Sequence, residues 1–163
     1  MKVWRMYIID NRDESSRSND TELKFRICLE KSMLGIGWCI NGSFDSWKDY
    51  LQIADMVFDK SKGYSTAMNK IQEMAKGDLV WLQNPISRDY YIAQVCDDSP
   101  SLCCHLREFD LYSYRKAEIY PVNKDLIEKY SLTDDDISGR HTIENIHKQA
   151  VVDTTCDIFN KAK

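Results

Sequence analysis

The stretch that most constrains the fold runs from Gly63 to Val95, where one helical pattern gives way to two strand patterns. Gly77 is expected to end the helix at the position after its last turn. The next residues, Asp78–Leu82 and Tyr90–Val95, have strand patterns and are separated by a turn at Asn84-Pro85. Three- and four-residue steps, the spacing of one helix face, separate the apolar residues Ala67, Met68, Ile71, Met74 and Ala75.

The residues before this stretch are predicted to be rich in β-structure. Val3–Ile9 is apolar and β-prone and predicts a first strand, whereas the polar Asp10–Thr21 predicts a mobile surface loop. Leu23–Glu30 alternates between apolar and polar residues, the pattern of a second strand. Met33–Ile40 is apolar and predicts a third strand, and Trp47–Phe58 has helical spacing.

The residues after this stretch predict short strands followed by short helices. Leu102–Leu106 is expected to be extended, and the aromatic Phe109–Tyr120 to form a strand ending at Pro121. Lys124–Tyr130 and Thr142–Ala150 are predicted helices, within a helical closing segment at 124–163. An acidic capping turn is predicted at Thr133–Asp136. The element order favours a compact α+β barrel over a doubly wound parallel sheet.

Length and composition favour one domain spanning residues 1–163. A chain of 163 residues with 43% hydrophobic and 29% charged residues can bury a sizeable core without a disulfide or a metal. The first residues lack a signal-peptide pattern, and no apolar run approaches the roughly 20 residues that span a membrane. The cytoplasm is therefore the expected location, with no membrane partner.

The six cysteines are expected to be reduced thiols rather than metal ligands. None forms the C-x-x-C spacing typical of structural zinc sites, and His141 and His147 are not spaced as a helical metal pair. We find no phosphate-binding loop, nucleophile elbow or paired-carboxylate signature, so we expect neither a metal nor a cofactor, and no catalysis by this chain. The cysteines are Cys28, Cys39, Cys96, Cys103, Cys104 and Cys156.

Three short motifs resemble the PUA/EVE-like domains of the YTH/ASCH superfamily, as found in modification-dependent restriction systems. The first is the unit in which a helix precedes Lys76-Gly77-Asp78, a strand, a turn and the Tyr-Tyr-Ile-Ala-x-Val strand at Tyr90–Val95. The second is Ile36-Gly37-Trp38, which is similar to a step in those domains. The third, Ile137–Ile143, looks like their closing segment. The resemblance implies a small β-barrel flanked by helices.

The resemblance also implies a pocket that holds an extruded, modified base between aromatic rings. This implies a nucleic-acid-binding specificity module of a restriction or defence system, acting on DNA rather than RNA beside a nuclease or ATPase module. Arg88 and Arg17 are candidates for phosphate contacts. The candidates for the ring cage are Trp38, Trp47, Trp81 and Tyr90, and those for reading a base edge are Asn41, Ser43, Gln83 and Asn84.

Other interpretations remain open from the sequence. Tryptophans bury large apolar areas, so each of these rings could simply belong to the core. The net charge of −4 opposes broad electrostatic binding to nucleic acid and favours a protein-interaction or regulatory module on the same barrel. A small hydrolase on an ASCH-type fold is a third reading, which requires Lys, Asp and Arg side chains to converge inside the pocket.

Overall fold

A computed structural model describes residues 1–8, 17–58, 63–139 and 142–163, with the side chains of 17–20 left out of the description. The strands are β1 (Val3–Met6), β2 (Met33–Ile36), β3 (Leu79–Gln83), β4 (Tyr90–Val95), β5 (Ser101–Leu102), β6 (Ser113–Val122) and β7 (Ile143–Ile146). The helices are α1 (Arg17–Glu30), α2 (Trp47–Val57), α3 (Tyr64–Glu73), α4 (Lys124–Lys129), α5 (Asp134–Ile137) and α6 (Gln149–Ala162), with a 3-10 helix at Cys104–Phe109.

The strands form one mixed sheet in the order β2-β6-β4-β3-β1-β7, with β5 also pairing with β6. β1 and β3 pair in parallel, with Val3 opposite Leu79, and the other pairs are antiparallel. The sheet is curled into a half-barrel and flanked by helices. The predicted α+β class is therefore confirmed.

Both faces of the sheet are covered, because successive strand side chains point to opposite sides. Val80 and Leu82 of β3 join a larger core with α1, α2 and α3. Leu79 and Trp81 of the same strand join a second core with α4, α5 and α6. We call these the first and the second core. Because the sheet lies between the two cores, it decides which of the predicted site residues can contact one another.

Several predicted elements are confirmed. The two strands after the third helix are present as β3 and β4, and the latter has the predicted bounds. α2 begins and ends within one residue of its predicted bounds, with Ser46 as its N-cap. Thr133 and Asp136 form a reciprocal capping box at the start of α5. Local signals therefore identify these elements.

The prediction of a strand over Leu23–Glu30 is wrong, because these residues belong to α1. The buried residues Thr21, Lys24, Phe25 and Cys28 follow the three- and four-residue spacing of a helix. The alternating apolar residues that suggested a strand are divided between the buried face and a half-buried flank of α1. Of the predicted loop, 17–21 is also helical, and 10–16 lies outside the described residues, as does Ile9 at the end of the predicted first strand.

The helix stop before β3 also differs from the prediction. α3 ends at Glu73, three residues before Lys76-Gly77. Gly77 adopts a left-handed φ of 90°, and its N–H donates to the carbonyl oxygen of Val95 at 2.8 Å. A residue with a side chain would be strained at this φ, so glycine is favoured at the junction between α3 and the β3–β4 pair.

Four further predictions need correction. β2 ends at Ile36 instead of Ile40, and β6 occupies Ser113–Val122, with Pro121 inside the strand opposite Tyr91. Leu102–Leu106 was predicted to be extended, but the structure has a two-residue strand at Ser101–Leu102 and a 3-10 helix at Cys104–Phe109. The predicted helix Thr142–Ala150 is replaced by β7, which pairs with β1, and by the start of α6. Pairing in the tertiary structure overrides the local pattern there.

Candidate ligand-binding crevice

Trp38 follows the end of β2 and has a left-handed backbone conformation. Its φ is 62°, which costs a non-glycine residue about 1–2 kcal/mol and must be held by its surroundings. The hydroxyl of Tyr50 donates to the carbonyl oxygen of Trp38 at 2.8 Å. The indole packs edge-on against the ring of Tyr64 at 6.0 Å between centroids and stays half-buried. Trp38 is thus held in place and, as a residue, remains partly accessible to solvent.

An aromatic cluster continues from Trp38 across the ends of α2 and α3. Trp47 packs on Tyr50 at 5.5 Å, and Tyr50 packs on Tyr112 at 5.2 Å. Trp47 Nε1 and the Tyr64 hydroxyl are buried and have no hydrogen-bond partner among the described residues. The rings of this cluster are Trp38, Phe44, Trp47, Tyr50, Phe58, Tyr64 and Tyr112.

A narrow crevice of about 10 Å³ opens beside Trp38. That volume is close to the smallest that holds one water molecule. Gly35 of β2 and Gly37 just after it are among the lining residues, and Leu111 and Asp110 fill the places that their side chains would take. The crevice is lined by Tyr7, Ile8, Lys24, Gly35, Ile36, Gly37, Trp38 and Thr142.

A buried ion pair lies beside this crevice. Lys24 Nζ of α1 donates to Asp110 Oδ2 at 2.9 Å, and the two side chains are 3% and 11% exposed. Asp110 lies against the backbone of Gly37: a Cβ at that glycine would be 2.2 Å from Oδ2 of the carboxylate. A buried pair of this kind contributes little net stability, since desolvation opposes the Coulomb attraction. The two charges offset each other, so the ammonium beside the crevice is salt-bridged.

Burial raises the pKa of the tyrosine hydroxyls in the aromatic cluster. Desolvation raises the pKa of Tyr64 to about 12, and the nearby carboxylate of Asp55 adds to this shift. The pKa of Tyr50 is also raised, mainly by burial. Both hydroxyls are therefore protonated near neutral pH and can donate hydrogen bonds.

Trp81, Tyr90 and Gln83 lie in or beside the second core, on the opposite side of the sheet from Trp38. Trp81 is fully buried, and its Nε1 donates to Thr155 Oγ1 at 2.9 Å. Tyr90 donates to Asp134, and Gln83 Oε1 accepts from Ser138. Trp38 and Trp81 therefore cannot form one cage.

The other predicted site residues are scattered. Asn41 and Ser43 are exposed in the segment between Trp38 and α2, near the aromatic cluster. Asn84 closes its own turn, with Oδ1 accepting from the backbone N–H groups of Ile86 and Ser87. Arg88 lies in the same turn and contacts Asp134 at 3.4 Å. The side chain of Arg17 lies outside the described residues.

Sequence reasoning missed Lys24 and Asp110. The strand prediction placed Lys24 on the solvent side, whereas the helix turns it inward between Thr21 and Phe25. The sequence did contain a signal for the burial of Lys24. Thr21, Lys24 and Cys28 are separated by three and four residues, the spacing of one face of a helix. Asp110 gave no such signal, since its pairing depends on a residue 86 positions away.

The described parts of the chain contain neither a metal-binding cluster nor a membrane-spanning helix. Among these residues no group of three or more His, Cys, Asp or Glu side chains is arranged to hold a metal ion. The described helices include none long and apolar enough to cross a membrane.

Comparisons with known proteins identify no family. No family model matches this chain, and no curated protein matches it. A crystal structure of protein Atu2648 from Agrobacterium tumefaciens is similar over 96% of this chain and 92% of that chain, at 14% identity and a TM-score of 0.41.

Proposed function

We propose that the chain is a nucleic-acid-binding module that recognises a modified base at Trp38. In this proposal the base stacks on the open part of the Trp38 indole, and its edge turns towards the crevice. The target is DNA rather than RNA, and the chain serves as the specificity module of a restriction or defence system, next to a nuclease or ATPase module. The observation that carries the proposal is the half-buried Trp38 in a left-handed conformation beside a glycine-lined crevice.

The chemistry of the surrounding atoms supports this proposal. A base needs a ring to stack on, worth about 1–3 kcal/mol, and polar groups that recognise its edge. Gly35, Gly37 and Trp38 all line the crevice, so backbone peptide groups lie near a base that stacks on Trp38. Lys24 also lines the crevice, and its ammonium, which is held by Asp110, is a hydrogen-bond donor beside it.

The size of the crevice restricts how a base binds. A space of about 10 Å³ cannot enclose a base. In this proposal the base therefore caps the crevice, and deeper entry requires the Trp38 ring to rotate away from Tyr64.

Oligonucleotide binding tests the proposal. We would measure the affinity for short DNA and RNA strands that contain one 5-methylcytosine, one N6-methyladenine or only unmodified bases. Trp38→Ala should weaken binding about tenfold or more, because one stacking partner is lost. Trp81→Phe is the matched control, since it changes a tryptophan on the other side of the sheet. Absence of binding to every strand, or equal affinities of wild type and Trp38→Ala with both folded, would contradict the proposal.

A second candidate function is a protein-interaction module, as the acidic net charge suggested. The observation that favours it is the outer face of α2, where Ile53, Met56 and Val57 are 42%, 83% and 60% exposed. Their spacing places them on one side of the helix, and contiguous exposed apolar residues are typical of interaction surfaces. Sedimentation equilibrium of wild type and Met56→Glu would test self-association, with Lys48→Glu on the same helix as the control.

A further inference from the structure

A second concave surface lies away from Trp38, at the junction of the turn between α1 and β2 with strand β6. It is an open groove of about 400 Å³, within the range typical of small-molecule sites. We call it the β6 groove. Its lining residues are Lys31, Ser32, Met33, Cys96, Cys103, Tyr114, Lys116, Ala117 and Glu118.

The floor of the β6 groove is a stretch of sheet face that α6 does not cover. Tyr114, Lys116 and Glu118 alternate along β6 and so share one face of the strand. The next residue of that face, Tyr120, packs against Phe159 of α6 at 5.8 Å. α6 then ends, and Lys163 lies 3.9 Å from Glu118 at the boundary. Beyond that boundary the floor includes the half-buried Tyr114, and the residues that line the groove all lie in strands, turns and loops of the described chain.

The rim of the β6 groove is positively charged. Lys31 and Lys116 are both exposed, and neither ammonium forms an ion pair with the described residues. Glu118 does not cancel this charge fully, because its Oε2 already accepts from the Tyr120 hydroxyl at 2.8 Å and faces Lys163. Two unpaired ammonium groups beside an apolar floor favour an anion with an apolar body.

The two thiols in the β6 groove cannot act together. The backbone N–H of Cys96 donates to the carbonyl of Lys116, and that of Cys103 donates to the carbonyl of Tyr112. These positions are four residues apart along one side of β6, or about 13 Å. A disulfide needs Cα atoms within about 7 Å, so the thiols form neither a disulfide nor a shared metal site. They can instead report on occupancy, since each reacts separately with an alkylating reagent.

We propose that the β6 groove binds a small aromatic anion, whose ring packs on Tyr114 and whose carboxylate or phosphate lies between Lys31 and Lys116. This site is independent of the proposed base recognition at Trp38. Failure of either proposal leaves the other standing.

The test compares two probes of the same shape and different charge, naphthalene-2-carboxylate and naphthalene-2-carboxamide. Affinity is measured by NMR titration of the full chain. We expect the carboxylate to bind about tenfold tighter than the amide, and Lys116→Gln to remove that preference. Lys129→Gln, an exposed lysine on α4, is the matched control and should keep the preference.

Alkylation by N-ethylmaleimide gives a second readout that does not depend on a variant. The bound carboxylate should slow modification of Cys96 and Cys103 and leave that of the exposed Cys104 unchanged. Equal affinities for the two probes would overturn the proposal. So would an unchanged preference in Lys116→Gln, or equal protection of all three thiols.

Discussion

The indole Nε1 of Trp4 donates a 2.9 Å hydrogen bond to Oδ2 of Asp78, which joins strand β1 to the residue that precedes β3. The same carboxylate accepts from the backbone N–H groups of Lys2 at 2.7 Å and Ala75 at 3.0 Å. Asp78 is 2% exposed, so its charge depends on these three donors. Within the Lys-Gly-Asp motif, Asp78 therefore has a structural role.

Replacing Asp78 by Ala should destabilise the fold by about 3 kcal/mol, because three donors lose their acceptor, two of them partly buried. Urea denaturation measures the change in free energy of unfolding. Asp98→Ala, at an exposed carboxylate, should change it by less than about 0.5 kcal/mol. Equal effects of the two substitutions would contradict the structural role of Asp78.

Gly37→Ala should destabilise the fold by about 3 kcal/mol, since the new methyl group collides with the Asp110 carboxylate and displaces it from Lys24. Thermal unfolding compares it with Gly63→Ala, where the added Cβ meets open space and only a left-handed φ of 81° is strained. Gly63→Ala should lower the free energy of unfolding by about 1 kcal/mol. A Gly37→Ala protein as stable as the control would show that Asp110 moves aside freely.

Trp81 and Thr155 should be energetically coupled through their 2.9 Å hydrogen bond in the second core. Thr155→Val leaves the buried indole N–H without an acceptor and should cost about 1–2 kcal/mol. Once Trp81→Phe has removed that N–H, Thr155→Val should cost less. Urea denaturation of both single variants and the double variant measures the coupling, and strict additivity would argue against it.

Asp136→Asn should destabilise the fold at neutral pH and matter less in acid. Hydrogen bonds from Lys148 and Thr133 lower the pKa of Asp136 below its ordinary 3.8. The carboxylate therefore stabilises the folded state above about pH 4, and this contribution is lost as the pH falls through the folded-state pKa. At neutral pH the loss of the capping box should cost about 1 kcal/mol.

The measurement for Asp136 is the free energy of unfolding from pH 7 down to pH 3. The difference between wild type and Asp136→Asn should shrink as the pH falls. Asp98→Asn is the control for a general charge effect. A difference that stays constant down to pH 3 would mean that the carboxylate charge has no part in the cap.

Cys28 should resist alkylation in the folded protein, whereas Cys104 should react readily. Burial raises the pKa of the Cys28 thiol to about 11, which leaves almost no thiolate at pH 8. Cys104 is exposed. Peptide mass spectrometry after treatment with N-ethylmaleimide separates the two sites, and both should react in urea. Rapid modification of Cys28 without denaturant would place it outside the core.

Local sequence patterns predicted most of the elements between Trp47 and Ile137. The helix pattern of α2, the strand pattern of β4 and the capping signal at Thr133 each depend on residues within a few positions of one another. The prediction failed at Leu23–Glu30, where apolar residues fit both a strand and a helix. Burial of Phe25 and Cys28 in the first core decides between the two patterns, and no local window contains that information.

The features of the candidate site likewise fall into two groups: those that depend on the local sequence and those that depend on the tertiary structure. The sequence determined that Trp38 follows two glycines and that the helix before β3 leads into an antiparallel strand pair, since these depend on neighbours in the chain. Only the tertiary structure separated Trp38 from Trp81, because the face that a strand residue occupies depends on register and on the helices packed against it. Only the tertiary structure brought Lys24 to Asp110. Contacts between residues so far apart in the chain come from the packing of whole elements, which local propensity does not encode.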